Sequence, residues 1–283
     1  LRGKSYARRL TRQDLEFALQ LFENAVAQDP GFALAYAAMA TVCAVYHDLH
    51  GREASWLGRA REAAAKAIAL QPDLPEARVA QAWIHYATGE NEATLSVVGS
   101  VIERKRDTEG AYYLLLLALF STGRYQEIAA TAEAAIEASG ADYNVYVPIQ
   151  NALGALGKHD ALQKMRQRAA LAFEAHLSQA PEDARARILL AGAYAAVGRN
   201  DEATREADLA MVLRPNDANV HYNAACTFCT MGKKPEALAA LGRAWKAGFR
   251  DPEWVRRDPD LNLLHGEPEF ERLYPADAAE GGR

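Results

Sequence analysis

Small and apolar residues recur along this chain at the spacing of an amphipathic helix. Near the N-terminus, Ala18, Phe22 and Ala25 are spaced so that they lie on one face of a helix. No stretch shows the sustained alternation of apolar and polar residues, flanked by turn residues, that indicates a β-strand. The pattern therefore predicts an all-α protein.

The clearest pattern is a sequence repeat in the C-terminal half of the chain. Gly198, Glu202, Ala203, Ala210 and Pro215 are followed, at one constant spacing, by Gly232, Glu236, Ala237, Ala244 and Phe249. A glycine at a helix end supplies the left-handed conformation of a C-cap, and alanines allow two helices to approach closely. Each copy is predicted to be an antiparallel helical hairpin, which cannot bury its apolar face alone and must stack on its neighbours.

This repeat resembles the tetratricopeptide repeat (TPR), whose period is about 34 residues and whose signature is W-x2-L-G-x2-Y followed by A-x3-F and P. The resemblance implies a right-handed superhelical solenoid of about seven TPR-like hairpins, in which the first helix of each hairpin lines the concave face. It also implies that the chain binds a protein or peptide partner and is not an enzyme.

Residues 1–250 are predicted to form the repeat array. The hairpins are expected at residues 1–30, 33–72, 75–106, 109–140, 143–181, 184–215 and 218–248. Pro30 and Pro72 are farther apart than one standard repeat, so we expect extra residues between the helices of the second hairpin, near 45–56. Residues 251–275 are predicted to form a C-terminal helical cap, because the end of a solenoid exposes an apolar edge, and residues 276–283 are expected to fray.

Composition narrows the class of protein. The chain has 283 residues and a formal net charge of -5, so no overall basic footprint favours nucleic-acid binding. We expect the local basic cluster Arg104-Lys105-Arg106 to be a solvated helix end. Its three cysteines form no disulfide framework, and it has no signal peptide and no apolar run of membrane-spanning length. We therefore expect a cytoplasmic location, with no nucleic-acid or membrane contact by this fragment. The chain opens at Leu1 without an initiator Met, so we expect it to be a piece of a longer polypeptide, and periplasmic placement through an upstream membrane segment stays open.

The sequence motifs that look chemical each lack a necessary element. Cys226 and Cys229 form a C-x-x-C, but it lies within a predicted helix and has no further zinc ligands beside it. Asp258 and Asp260 mimic the start of an EF-hand loop, yet Leu263 stands where that loop requires glycine. We therefore predict a non-enzyme without a metal or cofactor.

The register of the hairpins predicts which residues face the concave groove. They lie one, five and eight positions after the start of each first-helix signature, and Ala37, Thr41 and Val79 are among them. The candidate peptide-binding face consists of Trp83, Tyr86, Tyr113, Leu117, Phe120, Val147, Asn151, Ile188 and Tyr222. Its aromatic rings either anchor a peptide or only fill the interior, and the sequence leaves both alternatives open. TPR proteins that clamp a terminal carboxylate place Lys, Arg and Asn on this surface, and this chain departs from that pattern.

Both ends of the chain resemble repeat arrays that follow a signalling domain in bacterial proteins. The resemblance rests on Thr11-Arg12-Gln13-Asp14-Leu15 and Asp29-Pro30-Gly31-Phe32 at the start, and on Gly248-Phe249, Trp254 and Asp258-Pro259-Asp260-Leu261 at the end. Such arrays are found behind protein kinase, nucleotide cyclase or winged-helix DNA-binding domains. The resemblance implies a non-catalytic interaction scaffold within a bacterial signalling or regulatory protein. Two alternatives stay open: the array regulates a fused kinase or cyclase domain in cis, or it associates with a second copy as a homodimer.

Overall fold

The computed structural model describes residues 2–275, so the tail expected to fray at 276–283 lies outside the described residues. Within 2–275 the secondary structure consists of α-helices and two 3-10 helices, with no β-strand. The all-α prediction is confirmed. No helix in this range is both long and apolar enough to cross a membrane. The chain forms two compact units, and the boundary falls between Met165 and Arg166.

Helical hairpins follow one another through the first unit. Its helices are α1 (Arg2–Ala7), α2 (Arg12–Gln28), α3 (Ala33–His50), α4 (Ala54–Leu70), α5 (Pro75–Ala87), α6 (Asn91–Arg104), α7 (Ala111–Ser121), α8 (Tyr125–Ser139), α9 (Tyr146–Ala155) and the start of α10 (His159–Leu177). A 3-10 turn, Tyr143–Val145, precedes α9. Helices α3 and α5 pack together, as do α5 and α7, so each hairpin stacks on the next.

The second hairpin is longer because its first helix is extended. Helix α3 has 18 residues and reaches His50, and α4 begins at Ala54, so most of the extra residues expected near 45–56 belong to α3. The extension brings the rings of Tyr46 and Trp56 to a centroid distance of 4.2 Å. At its end, His50 Nε2 lies 2.7 Å from the carbonyl oxygen of Leu10, to which it donates a hydrogen bond.

Helix α1 lies unusually close to α2. A Cβ atom at Gly3 would stand 2.6 Å from Cε1 of Phe22, a distance that real Cβ atoms essentially never show. Glycine at position 3 therefore allows the backbone of α1 to contact the Phe22 ring. Thr11 then caps α2 by accepting a hydrogen bond from the backbone N–H of Asp14, which starts the second helix of this hairpin.

The second unit contains the two clear copies of the repeat. It comprises the end of α10, then α11 (Ala184–Ala196), α12 (Asn200–Leu213), α13 (Ala218–Thr230), α14 (Lys234–Lys246), α15 (Pro252–Arg257), a 3-10 helix (Pro259–Leu264) and α16 (Pro268–Leu273). Asp183 and Asp217 occupy equivalent positions in successive copies and cap α11 and α13 through backbone N–H groups. The same N-cap hydrogen bond therefore recurs in both copies of the sequence repeat.

Glycine and alanine occupy the positions in the repeat that the packing requires. Gly198 and Gly232 have φ angles of 80° and 72°, the left-handed region that favours glycine. Ala203 and Ala237 have no exposed surface, and they lie in the second helix of the two packed pairs, α11 with α12 and α13 with α14. A larger side chain at either alanine would hold the two helices apart.

The last three helices cover the end of the second unit. Val255, Leu261 and Phe270 are fully buried and belong to the same apolar cluster as α13 and α14. Tyr274 closes this cap, because its hydroxyl donates a hydrogen bond of 2.9 Å to the carbonyl of Phe249. The apolar edge of the last hairpin is thus covered, as a repeat array requires.

Candidate peptide-binding pocket

An apolar pocket of about 110 Å³ lies inside the first unit. Helices α1, α2, α3, α5 and α7 and the 3-10 turn before α9 contribute its walls. Most of the lining side chains are aliphatic or aromatic, with Leu15, Phe22 and Val42 among them. A pocket with apolar walls and few polar groups is the usual form of a binding site for an apolar anchor.

Five residues from the predicted concave register line this pocket together. They are Ala37 and Thr41 on α3, Val79 and Trp83 on α5, and Tyr113 on α7. Trp83 and Tyr113 are only 4% and 9% exposed, and their ring centroids lie 6.1 Å apart. Both rings are therefore packed in the interior and also line the pocket.

The other aromatic residues of the predicted face lie outside the pocket lining. The Tyr86 ring meets Trp83 edge-on at 5.7 Å, and its hydroxyl is 3.1 Å from the hydroxyl of Ser121. Phe120 packs against Tyr125 at 5.2 Å, and Leu117 is half-buried on α7. Of these residues, Tyr86 contacts the pocket wall directly, through Trp83.

The remaining predicted face residues do not join this pocket. On α9, Val147 is half-buried and Asn151 is exposed. Ile188 and Tyr222 lie in the buried apolar cluster of the second unit. The Tyr222 ring stacks on Phe249 at 4.2 Å, and its hydroxyl donates a hydrogen bond to Asp258. Phe249 and the cap residue Asp258 therefore occupy the surface that Tyr222 would offer to a partner.

Charged groups surround the apolar pocket, and sequence reasoning did not anticipate them. Glu76, Glu109 and Asp142 line it from the repeats, whereas Lys4 and Arg8 line it from α1 and the residue after it. The three acids come from separate segments of the chain, so no local sequence motif reveals that they share one site. Only the stacking of the hairpins brings them together.

Polar contacts hold the N-terminal residues against distant parts of the first unit. Lys4 Nζ lies 2.7 Å from a carboxylate oxygen of Glu109, and Arg8 Nε lies 3.4 Å from the other oxygen. Asn144 donates a side-chain hydrogen bond of 2.9 Å to the carbonyl of Arg8. In stacked repeats each hairpin mainly touches its neighbours, so these contacts are additional to the stacking.

The segment between α1 and α2 is held more tightly than α1. Arg9 and Asp14 are both buried and form an ion pair at 3.7 Å. Leu10 has a φ angle of 53°, a left-handed conformation that costs energy in a residue other than glycine. The hydrogen bond from His50 to the Leu10 carbonyl helps to hold that conformation. Arg9 and Leu10 therefore form a fixed junction from which α1 extends.

Two carboxyl groups of the pocket lie in a poorly solvated setting. Burial raises the pKa of Asp142 above its ordinary value of 3.8, and hydrogen bonds from the backbone and side chain of Asn144 oppose that effect. Glu76 Oε1 lies 4.0 Å from Lys105 Nζ. Its other oxygen, Oε2, is buried without a hydrogen-bond partner within residues 2–275. A cationic or N–H donor group in the pocket would complete this acceptor.

The C-x-x-C cysteines lie in the second unit and are poorly suited to redox chemistry. Cys226 and Cys229 are free, buried and on α13. Burial raises the pKa of Cys226 well above 9.0 and that of Cys229 to about 12, whereas a reactive thiol needs a lowered pKa. Among the described residues, no group of three or more His, Cys, Asp and Glu side chains is placed to hold a metal ion.

Solved structures of other proteins are similar to this chain in fold. No family model matches the chain. Among solved structures, the chain of the APC/C hetero-tetramer Cut9-Hcn1 gives a TM-score of 0.56 at 15% identity, over 96% of this chain and 48% of that one. A tetratricopeptide repeat protein from Parabacteroides merdae gives 0.49 at 17% identity, over 89% of this chain and 93% of that one. The TM-score with the Cut9-Hcn1 chain indicates a shared fold of stacked helical hairpins.

A sequence relative matches only a small part of the chain. A chloroplastic protein of Arabidopsis thaliana is 37% identical over 60 residues, which is 21% of this chain and 18% of that protein. The match is too short to carry the activity or partners of the whole relative to this chain. The Cut9-Hcn1 structure, at 15% identity, likewise shows a shared fold alone.

Proposed function

We propose that this chain is a non-catalytic scaffold whose first unit binds a peptide segment of a protein partner in the pocket beside Trp83 and Tyr113. One observation supports this proposal most directly: Thr41, Val79, Trp83 and Tyr113 line one apolar pocket. All four belong to the predicted concave register, and they come from the first helices of successive hairpins.

Aromatic walls suit the anchor of a peptide. Rigid rings lose little conformational entropy on binding, and a buried aromatic contact contributes about 2 kcal/mol or more at an interface. Because burial of apolar surface supplies this part of the energy, it should depend little on salt. The second unit offers no equivalent surface at Tyr222, whose ring and hydroxyl are engaged by Phe249 and Asp258.

The wider setting of the scaffold is part of the same proposal. We place it in a bacterial signalling or regulatory protein, which is supported by the resemblance of both chain ends to arrays fused to signalling domains. We also propose a cytoplasmic location. All three cysteines, Cys43, Cys226 and Cys229, are free and buried, which is compatible with a reducing compartment.

Selection of peptides from a random library tests this function. Twelve-residue peptides displayed on phage are selected on the immobilised chain, and the enriched peptides are synthesised for calorimetry. Thr41→Phe should fill the pocket and weaken their binding by about tenfold or more. Gln20→Phe introduces the same ring at an exposed neutral position of α2 and should leave binding unchanged.

Peptides with an aromatic or leucine anchor are the expected outcome. Equal binding to the wild-type chain and to Thr41→Phe would show that the pocket is not the binding site. Failure to enrich any peptide that binds the folded chain would also count against the proposal.

A further inference from the structure

We propose that the basic segment Arg2–Arg8 is a built-in occupant of the pocket, and that the partner is a basic helical peptide that replaces it. This inference rests on the proposed function and names the class of peptide that the pocket takes. The basic segment contains α1 and provides part of the present pocket wall through Lys4, Ala7 and Arg8.

Charge complementarity identifies the kind of partner. Residues 2–8 contain three cations, Arg2, Lys4 and Arg8, and no acid. The face they cover carries Glu76, Glu109 and Asp142. The chain thus already shows a short basic helix seated beside an apolar pocket with acidic groups around it. A partner helix of the same chemistry would meet the same surface.

The contacts of the basic segment resemble those of a bound peptide. Lys4 and Arg8 share the Glu109 carboxylate, and Asn144 donates to the backbone carbonyl of Arg8. In a peptide-binding site, charged side chains select peptides of opposite charge. A side-chain amide that hydrogen-bonds to the peptide backbone fixes the position of the peptide. Glu109 and Asn144 are separated from the basic segment by more than a hundred residues of chain.

The basic segment is also suited to leave the pocket. A helix of six residues has little stability of its own. The Lys4 and Glu109 side chains are 25% and 37% exposed, so water can replace their ion pair at small cost. The segment ends at the junction of Arg9 and Leu10, which its own contacts with Asp14 and His50 hold in place. Release of α1 therefore leaves α2 and the rest of the unit intact.

An unsatisfied oxygen of Glu76 would favour binding of a partner peptide over binding of the basic segment. Its buried Oε2 atom has no hydrogen-bond partner within residues 2–275, although Lys4 and Arg8 line the same pocket. A partner with one more correctly placed cation or N–H donor would satisfy this oxygen as well as Glu109. The built-in occupant is thus an incomplete ligand, which allows a partner to replace it.

A charge-reversal experiment tests the inference on the full chain. The probe is a fluorescein-labelled peptide with the sequence of residues 2–8, measured by fluorescence anisotropy. In Lys4→Glu/Arg8→Glu both cations are replaced by acids that Glu109 repels, so α1 should leave the pocket. The peptide should bind this variant at least about tenfold more tightly than the wild type, because the competing occupant has gone. Hydrogen exchange of the α1 amides verifies the release.

Matched variants separate pocket effects from net charge. Arg104→Glu/Arg106→Glu makes the same change in charge at exposed positions of the first unit and should bind the peptide as weakly as the wild type. Adding Glu109→Lys to Lys4→Glu/Arg8→Glu should abolish peptide binding and restore protection of α1. If Lys4→Glu/Arg8→Glu does not fold, Ser5→Pro breaks α1 at an exposed position without changing any charge and should give the same gain.

The results of these binding experiments distinguish the two parts of the inference. Equal affinity of the peptide for the wild type and the released variant would overturn the built-in occupant. No binding to a folded variant with released α1, or selection of acidic peptides by that variant, would overturn the basic partner. If library peptides remain sensitive to Thr41→Phe in these cases, the proposed function stands and only this inference fails.

Discussion

The side-chain amide of Asn144 donates a 2.9 Å hydrogen bond to the main-chain carbonyl of Arg8, and the two residues are 136 positions apart. Stacked helical hairpins form their core from adjacent copies, and this contact joins the first hairpin to the turn that precedes α9. It brings Arg8 next to Glu109 and completes one side of the apolar pocket. The contact therefore fixes the N-terminal segment to a distant part of the first unit, which repeat stacking alone does not do.

Enlarging an alanine at a helix crossing should destabilise the second unit. Ala203→Leu or Ala237→Leu places extra methylene groups at a position with no exposed surface, which typically costs about 1–3 kcal/mol. Thermal and urea unfolding followed by circular dichroism measure the change. Ala239→Leu, at an exposed position of α14, is the control and should change stability little. Unchanged unfolding of both buried variants would contradict the packing at these crossings.

Adding a methyl group to Gly3 should loosen α1 without unfolding the unit. The new Cβ atom would overlap Phe22 at 2.6 Å, so α1 must shift away from α2. We expect faster hydrogen exchange at the α1 amides in Gly3→Ala, and little change in the protection of α3 and α5. Ser5→Ala, on the exposed side of α1, is the matched control and should keep wild-type exchange. Full protection of α1 in Gly3→Ala would show that this close approach is not required.

Removing the hydroxyl of Tyr222 should weaken the C-terminal cap. Tyr222→Phe keeps the ring stacked on Phe249 and removes one hydrogen bond to the Asp258 carboxylate, which is worth about 1.5–3 kcal/mol. Limited proteolysis within the cap and urea unfolding measure the loss of stability. The variant should bind selected peptides as the wild type does, because Tyr222 is already covered. A drop in peptide affinity with unchanged stability would instead place Tyr222 on the binding surface.

His221 should make the second unit sensitive to mild acid. Burial lowers the pKa of His221 below 6.5, and its Nε2 donates to the carbonyl of Pro215 at 2.8 Å. The folded chain therefore disfavours the charged ring, whose Nδ1 atom is buried without a hydrogen-bond partner within residues 2–275. Because the unfolded chain takes up the proton first, this contribution to stability is complete above pH 6.5 and is lost as the pH falls toward the folded pKa.

A pair of melting curves measures this effect. Arg243, which also lowers the pKa, and Asp217, which raises it, are the charged groups that act on the ring. The wild type should lose more stability between pH 7.5 and 5.5, both roughly one unit from the ordinary histidine pKa, than His221→Gln does. The glutamine amide can still donate to Pro215 but does not titrate. Equal losses in the two proteins would show that His221 is not the group responsible.

Much of the fold was predictable because the same residue types recur at equivalent positions of successive repeats. Gly198 and Gly232 mark left-handed helix ends, and Ala203 and Ala237 mark close crossings, so one copy verifies the other. The register also selected Trp83 and Tyr113, which the structure brings to one pocket. Whether their rings bind a peptide stays a prediction.

The charged part of the pocket could not be predicted in this way. Glu109 and Asn144 contact the N-terminal residues through tertiary structure that does not recur with the repeat, and no sequence motif marks Arg8. At Tyr222 the register was insufficient for a different reason. It selects one side of α13 but does not reveal that Phe249, which follows α14, and Asp258 of the cap occupy that side.

The short connection at Arg9 and Leu10 has a consequence for the timing of recognition. An occupant joined to its site by a fixed junction is always present at a high effective concentration, which for short tethers is on the order of millimolar. A single dilute partner competes poorly with it, whereas partners gathered locally on a filament, a membrane-bound cluster or a fused domain reach comparable concentrations. The junction would thus make this protein respond to the crowding of its partners more than to their mere presence.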